Sequence, residues 1–137
     1  MAVPAKNTKK YKVIKVSPME RPYVIEIDID DISEIQKEIG GYFEVVEPFE
    51  DPVVILCDED GKIKGKMPNR VLRDERGKVY DILVGDFIIA GLLHDEFVWL
   101  TDELIEKYLA YYAEPEFFNR KDGHVYMYKG DKLETIV

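Results

Sequence analysis

The sequence has only one cysteine and two histidines among its 137 residues. A single thiol excludes an intrachain disulfide and any zinc site built mainly from thiolates. Cys57 ends the apolar run Val-Val-Ile-Leu-Cys, which predicts a buried strand, so we interpret its thiol as inert. His94 and His124 have no second histidine at ligand spacing, and no glycine motif for a nucleotide cofactor occurs. We therefore expect neither a metal nor a cofactor.

Positive charge is also scarce, since 19 Lys and Arg stand against 28 Asp and Glu, for a formal net charge of -9. Binding to nucleic acid needs clustered basic residues over a broad face, so we expect no direct contact with nucleic acid. An acidic surface is typical of a protein that is kept soluble by its charge. It is also typical of a protein that binds a basic protein surface or imitates the charge of DNA.

Long apolar runs are missing as well. None reaches membrane-spanning length, and the lysines near the N-terminus are followed by no apolar core of signal-peptide length. We expect a cytoplasmic protein that does not contact a membrane.

Patterns typical of catalysis are equally absent. Ser17 precedes a proline in a turn and Ser33 falls inside a helical pattern, so neither lies in a nucleophile elbow. The adjacent carboxylates around Asp30 and Asp60 are explained by helix caps and turns rather than by acid–base chemistry. We therefore expect a protein that is not an enzyme; the lesser alternative is an unrecognised enzyme whose active-site residues are distant from one another in the sequence.

What is present is globular: 46% of the residues are hydrophobic and 34% are charged. This length and composition predict one folded domain with one core. Alternating and apolar runs predict strands from Tyr11, Tyr23, Tyr42, Val53, Val79 and Phe87 onward. We expect an α+β fold, a largely antiparallel or mixed β-sheet with two helices packed on it and a C-terminal β-hairpin.

Two helices have clear start and stop signals. The first is predicted to begin at the Asp30-Asp31 cap, with Glu34 as capping-box partner of Asp31, and to end at Gly40-Gly41. Its apolar stripe is Ile32, Ile35 and Ile39. The second helix is predicted to begin at Thr101 and to end before Pro115. Its apolar face comprises Leu104, Ile105, Tyr108, Leu109 and Tyr112.

The connecting segments carry three further predictions. Asp58 to Lys62 predicts a hairpin turn with Gly61 at positive φ and Ile63 on a short returning arm. Pro-Asn-Arg at 68–70 predicts a loop, and residues 117–123 predict a connection before the C-terminal hairpin at 125–137.

Short motifs follow one another in a fixed order along the chain: Tyr23, Ile35-Gln-Lys, Gly40-Gly-Tyr, Glu47-Pro-Phe, Asp51-Pro, Asn69-Arg-Val-Leu-Arg-Asp, Gly77, Tyr80-Asp-Ile and Gly85-Asp-Phe-Ile-Ile. This succession resembles the uncharacterised domain family DUF3846 over about residues 11–110. The resemblance implies an accessory protein of bacteria, phages or mobile elements and implies no activity. It divides the chain into an N-terminal tail (1–10), a family-like α+β domain (11–112) and a C-terminal extension with the β-hairpin (113–137).

Our leading hypothesis is a non-catalytic binding protein of a phage or mobile element that modulates a host process and acts on a host protein, for example to inhibit a defence system. Its partner-binding surface would be one acidic edge that imitates a phosphate backbone. The carboxylates proposed for that edge are Glu44, Glu47, Glu50, Asp51, Asp58, Glu59 and Asp60. A homodimer is a further hypothesis, because there are more aromatic side chains near the second helix than one helix face can bury: Tyr108, Tyr111, Tyr112, Phe117 and Phe118.

The alternative is a binder of a phosphorylated small molecule or nucleotide signal. Asn69, Arg70 and Arg73 would hold the phosphate around the Gly77 turn, and Tyr80 would stack on a base. For these arginines we favour a structural reading, in which Arg70 or Arg73 pairs with Asp74 or Asp81 and fixes the loop.

Overall fold

A computed structural model describes residues 10–137. Its two helices are α1 (Ile32–Ile39) and α2 (Asp102–Tyr111). Its strands are β1 (Lys10–Val16), β2 (Tyr23–Asp28), β3 (Phe43–Val46), β4 (Val53–Asp58), β5 (Pro68–Arg73), β6 (Val79–Val84), β7 (Phe87–Leu93), β8 (Glu96–Val98), β9 (Phe117–Lys121), β10 (His124–Lys129) and β11 (Lys132–Thr135). The α+β class with a largely antiparallel sheet is confirmed. Of the predicted tail at 1–10, only Lys10 lies within the described residues, and it begins β1.

The central sheet has the order β2-β1-β7-β4-β3, with β8 paired to the far end of β7, and every pairing is antiparallel. Strand β4 is buried along its whole length, as its continuous apolar run predicted. Two smaller sheets flank this one, the pair β5-β6 and the three-stranded sheet β11-β10-β9.

Both faces of the central sheet are covered, because successive residues of β4 and β7 point to opposite sides. On one side Val54 and Leu56 pack with Ile35 and Ile39 of α1. On the other side lie Val53, Ile55 and Cys57. They pack with Tyr108 of α2, with Tyr112 at the C-terminal cap of that helix, and with Leu72 and Leu83 of the β5-β6 pair. The apolar face predicted for α2 is therefore the face that packs.

Cap chemistry accounts for the helix ends. Asp31 accepts a hydrogen bond from Ser33 N–H at the start of α1, and Gly40 ends that helix in the left-handed conformation. Thr101 accepts from Leu104 N–H at the start of α2. The predicted stripe of α1 is only partly correct, because Ile32 is exposed while Ile35 and Ile39 are buried. Glu34 accepts a hydrogen bond from Asp28 N–H, which ties α1 to β2.

The predicted hairpin after β4 is wrong. Strand β4 already has β3 and β7 as its two neighbours, so no edge is free for a returning arm. Residues 59–65 form turns instead, the positive φ falls at Gly65 rather than Gly61, and Ile63 is 86% exposed. The predicted loop at 68–70 is also wrong, since Pro68 begins β5, which pairs with β6.

The C-terminal hairpin is present, with Tyr128 opposite Leu133. The segment predicted as a connection before it is strand β9, which pairs with β10 through an Asp122-Gly123 turn in which both residues have positive φ. No helix within residues 10–137 has the length and apolarity that crossing a membrane requires.

Candidate functional site

Asn69 and Arg70, two of the four candidate ligand-binding residues, have no exposed surface. The Asn69 amide donates to the Val16 carbonyl at 2.9 Å and to the Gly85 carbonyl at 2.8 Å. Asn69 therefore joins β5 to the end of β1 and to the turn between β6 and β7. Its side-chain oxygen accepts from Arg70 Nη1 at 2.9 Å, so the two residues form one buried polar group.

The Arg70 guanidinium extends this network. Nη2 donates to the carbonyl of Glu20 at 2.8 Å and to that of Tyr112 at 2.9 Å, which connects β5 to the β1–β2 turn and to the end of α2. Burial lowers the pKa of Arg70, and the nearby Glu116 carboxylate partly opposes that shift. The structural reading had Asp74 or Asp81 as the partner. The partners of Arg70 are instead the Asn69 side chain and backbone carbonyls of distant segments.

Arg73 and Tyr80, the other two candidates, lie at the surface and line the same cleft. Arg73 forms a two-pronged pair with Glu134 of β11 at 3.0 and 2.8 Å and also donates to the Gly77 carbonyl. Hydrogen bonding within the pair raises the pKa of Arg73 and lowers that of Glu134. The Arg73 charge is thus matched inside the protein, whereas Tyr80 is 55% exposed.

The cleft has a volume of about 1090 Å³ and is open to solvent. Three segments that are distant in sequence form its walls: residues 47–51 after β3, the β5–β6 turn at 73–77 with Tyr80, and the exposed side of α2 at 107–111. It lies beside the larger of the two core faces and is therefore supported by rigid elements.

Aromatic rings form the floor of the cleft. Phe49 packs with its ring centre 4.8 Å from that of Tyr108 and 5.5 Å from that of Tyr111. Tyr108 is buried, while Tyr111 is 46% exposed and so presents ring surface to solvent together with Tyr80. Exposed aromatic surface inside a groove is the usual mark of a binding site rather than of solubility.

Carboxylates dominate the rim. Five acidic residues, Glu47, Glu50, Asp51, Asp74 and Glu75, line the cleft against three basic ones, Arg73, Arg76 and Lys107. Within the described part of the chain, Glu47, Glu50 and Glu75 are exposed and form no ion pair. Their charge is therefore available to a partner.

Asp51 is the acid with the closest partners. Its Oδ2 accepts from Lys107 Nζ at 2.6 Å and from the Tyr108 hydroxyl at 2.7 Å. The bond from Lys107, followed by that from Tyr108, lowers the pKa of Asp51. Burial and the bond to Asp51 raise the pKa of Tyr108, so its hydroxyl stays protonated as a donor.

The structure does not place the seven predicted partner-binding carboxylates on one edge. Glu47, Glu50 and Asp51 lie at the cleft, whereas Asp58, Glu59 and Asp60 lie at the opposite end of β4, separated by roughly 20 Å of strand. Glu44 lies near that far end, on β3 opposite Cys57, which precedes Asp58. The predicted set therefore divides into a cleft group and a distant group.

The distant group contains a structural carboxylate. The Asp58 side chain is fully enclosed and pairs with Lys64 Nζ at 2.9 Å and Lys66 Nζ at 2.6 Å. Burial alone would raise its pKa, but the two lysine bonds outweigh that effect and lower the pKa to about 2. Lys66 also donates to the Ile39 carbonyl at the end of α1, so this cluster fixes the helix to the 59–65 turns.

The interpretation of Cys57 as a buried, inert thiol agrees with its position, because burial raises its pKa to about 12. Among residues 10–137 no three His, Cys, Asp or Glu side chains converge as metal ligands.

Sequence reasoning missed Phe49 and Lys107 as site residues and named Tyr111 only as a possible dimer contact. A usable signal existed for Tyr111, which falls outside the predicted apolar face of α2 although it is a large ring. Phe49 is a large ring between Pro48 and Glu50 in a predicted bend, which is the second signal. Neither signal indicates that the two rings meet.

Comparison with known proteins gives one family. The model of the family described as "Domain of unknown function (DUF3846)" matches residues 11–113, which span β1 to the residue after the α2 cap. No curated protein matches the chain, and no solved structure matches it.

Proposed function

The chain belongs to the DUF3846 family, and we propose that it is a non-catalytic binding protein whose cleft engages a basic segment of a partner protein. The family resemblance favours a partner in the host of a phage or mobile element, and modulation of a host process such as defence. The single observation that carries the proposal is the cleft itself, where exposed rings and uncompensated carboxylates share one groove.

Charge and shape both support a basic partner. The net charge of -9 attracts a cationic surface at long range, and the rim acids Glu47, Glu50 and Glu75 add a local field at the groove. Exposed Tyr80 and Tyr111 provide the apolar and π surfaces on which Arg or Lys side chains bind. Such a surface binds cations and disfavours phosphates.

The test is capture of partners on immobilised protein from lysate of a candidate host, with wild type beside a Glu47→Gln/Glu50→Gln/Glu75→Gln variant. The proposal predicts that proteins retained by wild type are not retained by this variant. It also predicts that cross-links from lysines of the partner map to the cleft. A matched control, Glu26→Gln/Glu96→Gln/Glu103→Gln, removes the same charge at exposed positions outside the cleft and should retain them. Equal retention by both triple variants would contradict the proposal.

The alternative, a phosphorylated small molecule, has one observation in its favour, because Arg73 and Tyr80 line the same cleft beside the Gly77 turn. Its support is weaker, since Asn69 and Arg70 are enclosed in the core and Arg73 is paired with Glu134. A thermal-shift screen of nucleotides tests it with wild type, Tyr80→Ala and Arg76→Met. Stabilisation of wild type that both variants lose would favour this alternative over a protein partner.

A further inference from the structure

One corner of the cleft already holds a cation from the protein itself. Lys107 Nζ lies 2.6 Å from Asp51 Oδ2 and 5.5 Å from the centre of the Tyr108 ring. A carboxylate and an aromatic ring around an ammonium group are the two elements of a cation-binding site. The Tyr108 hydroxyl holds the carboxylate in place through its own bond to Oδ2.

We propose that this corner is a cation-binding subsite, which the Lys107 ammonium occupies in the free protein and which an arginine side chain of the partner takes over on binding. The inference rests on the proposed function and names the side chain that the cleft recognises. The Asp51 carboxylate and the exposed ring of Tyr111 form the subsite, the buried Tyr108 holds the carboxylate through its hydroxyl, and Lys107 is the internal competitor.

Lys107 can be displaced from Asp51 easily. Its side chain is 59% exposed and has a flexible four-carbon stem, so moving its ammonium group from Asp51 into water requires little free energy. The Asp51 side chain is 30% exposed, which keeps it accessible once Lys107 has moved.

An arginine fits the vacated place better than a second lysine. Both bonds to Asp51 use Oδ2, and no hydrogen bond to Oδ1 forms within the described residues, so a guanidinium fork can bind both oxygens. The exposed ring of Tyr111 offers a face for the planar guanidinium, which stacks where an ammonium does not. Glu50, which precedes Asp51 in the chain, lies on the same rim.

The experiment measures fluorescence anisotropy of a labelled octapeptide of alternating Gly and Arg, and of its Gly-Lys counterpart, at physiological ionic strength. Lys107→Met should bind the Arg peptide about threefold more tightly than Lys37→Met, because the peptide no longer has to displace Lys107 from Asp51. An exposed ion pair contributes a free energy that corresponds to about this change in affinity. Lys37→Met is the matched control, since it removes the same charge from exposed α1 on the opposite face of the sheet. Asp51→Asn should weaken binding about tenfold against a Glu26→Gln control, and the Lys peptide should bind less tightly than the Arg peptide.

A second readout follows the carboxylate directly. In carbon-detected NMR titrations, the pKa of Asp51 should rise toward its ordinary value in Lys107→Met and fall again when the Arg peptide is added. If Lys107→Met binds no more tightly than Lys37→Met, or if the peptide leaves the pKa of Asp51 unchanged, the subsite is wrong. If the Glu47→Gln/Glu50→Gln/Glu75→Gln variant then binds the Arg peptide more weakly than wild type, the cleft is still supported as the binding site. If neither that variant nor Asp51→Asn alters binding, the subsite and the proposed function both fail.

Discussion

Replacement of Arg70 by methionine should strongly destabilise the protein. The guanidinium has no exposed surface and donates to Asn69 Oδ1 and to the carbonyls of Glu20 and Tyr112, at 2.8 to 2.9 Å. Each buried acceptor left unpaired costs about 1–3 kcal/mol. Glu20 lies near the surface, where water replaces the lost donor, so two acceptors remain fully buried. Relief of the buried charge, and of the buried Nε that has no hydrogen-bond partner, offsets part of this loss, and we expect about 2–4 kcal/mol.

Urea unfolding followed by circular dichroism measures this loss as a lower midpoint at constant slope. In thermal unfolding the same loss lowers Tm by roughly 10 °C for a domain of this size. Arg76→Met, in the exposed β5–β6 turn, is the control and should change stability by no more than about 0.5 kcal/mol. If Arg70→Met lowers the free energy of unfolding by less than about 1 kcal/mol, Arg70 does not stabilise the fold through buried hydrogen bonds as assigned. Unchanged stability with loss of nucleotide binding would support the ligand-binding alternative.

Two further predictions concern ion pairs. The folded-state pKa of Asp58 is lowered, so its contribution to stability is present above its ordinary pKa near 4 and is lost as pH falls toward about 2. Asp58→Asn should therefore lower the free energy of unfolding by about 1–2 kcal/mol at pH 7 and by almost nothing at pH 2, as measured by urea unfolding at both pH values. An equal loss at both pH values would contradict the pairing of Asp58 with Lys64 and Lys66. Glu134→Gln weakens the pair with Arg73 and should speed hydrogen exchange in β9–β11 while β4 and β7 stay protected. Uniform acceleration through all strands would indicate that the C-terminal sheet does not depend on this contact.

The parts of the fold that sequence patterns predicted are those fixed by local chemistry. Asp31, Gly40 and Thr101 act through neighbours a few residues away, and each cap forms as expected. The continuous apolar runs of β4 and β7 require burial on both faces, which only the centre of a sheet provides.

The errors arose where the partner is distant. Pro68 to Arg70 has the composition of a loop, but Asn69 and Arg70 satisfy carbonyls 53, 50 and 42 residues away, and that network holds the segment as a strand. Strand β9 ends in Asn-Arg-Lys, a polar composition that predicts a surface connection. The segment is a strand because it pairs with β10. Such contacts leave no local pattern.

The candidate site was predicted only in part for the same reason. The cleft combines segments near Asp51, Gly77 and Lys107, and no spacing within one segment indicates that the three meet. Arg73 and Tyr80 were found because they flank one turn. Phe49 and Tyr111 required the packing of α2 against the loop after β3.

The most direct test of the account is an amide NMR titration of the full chain with the Gly-Arg octapeptide. The account predicts that shift changes are confined to residues 47–51, 74–80 and 107–111, and that they weaken as salt is raised. Residues 58–60 are acidic as well but lie at the far end of β4, so they serve as the internal control. Changes centred on residues 58–60, or spread evenly over the acidic surface, would contradict the claim that the cleft is the binding site.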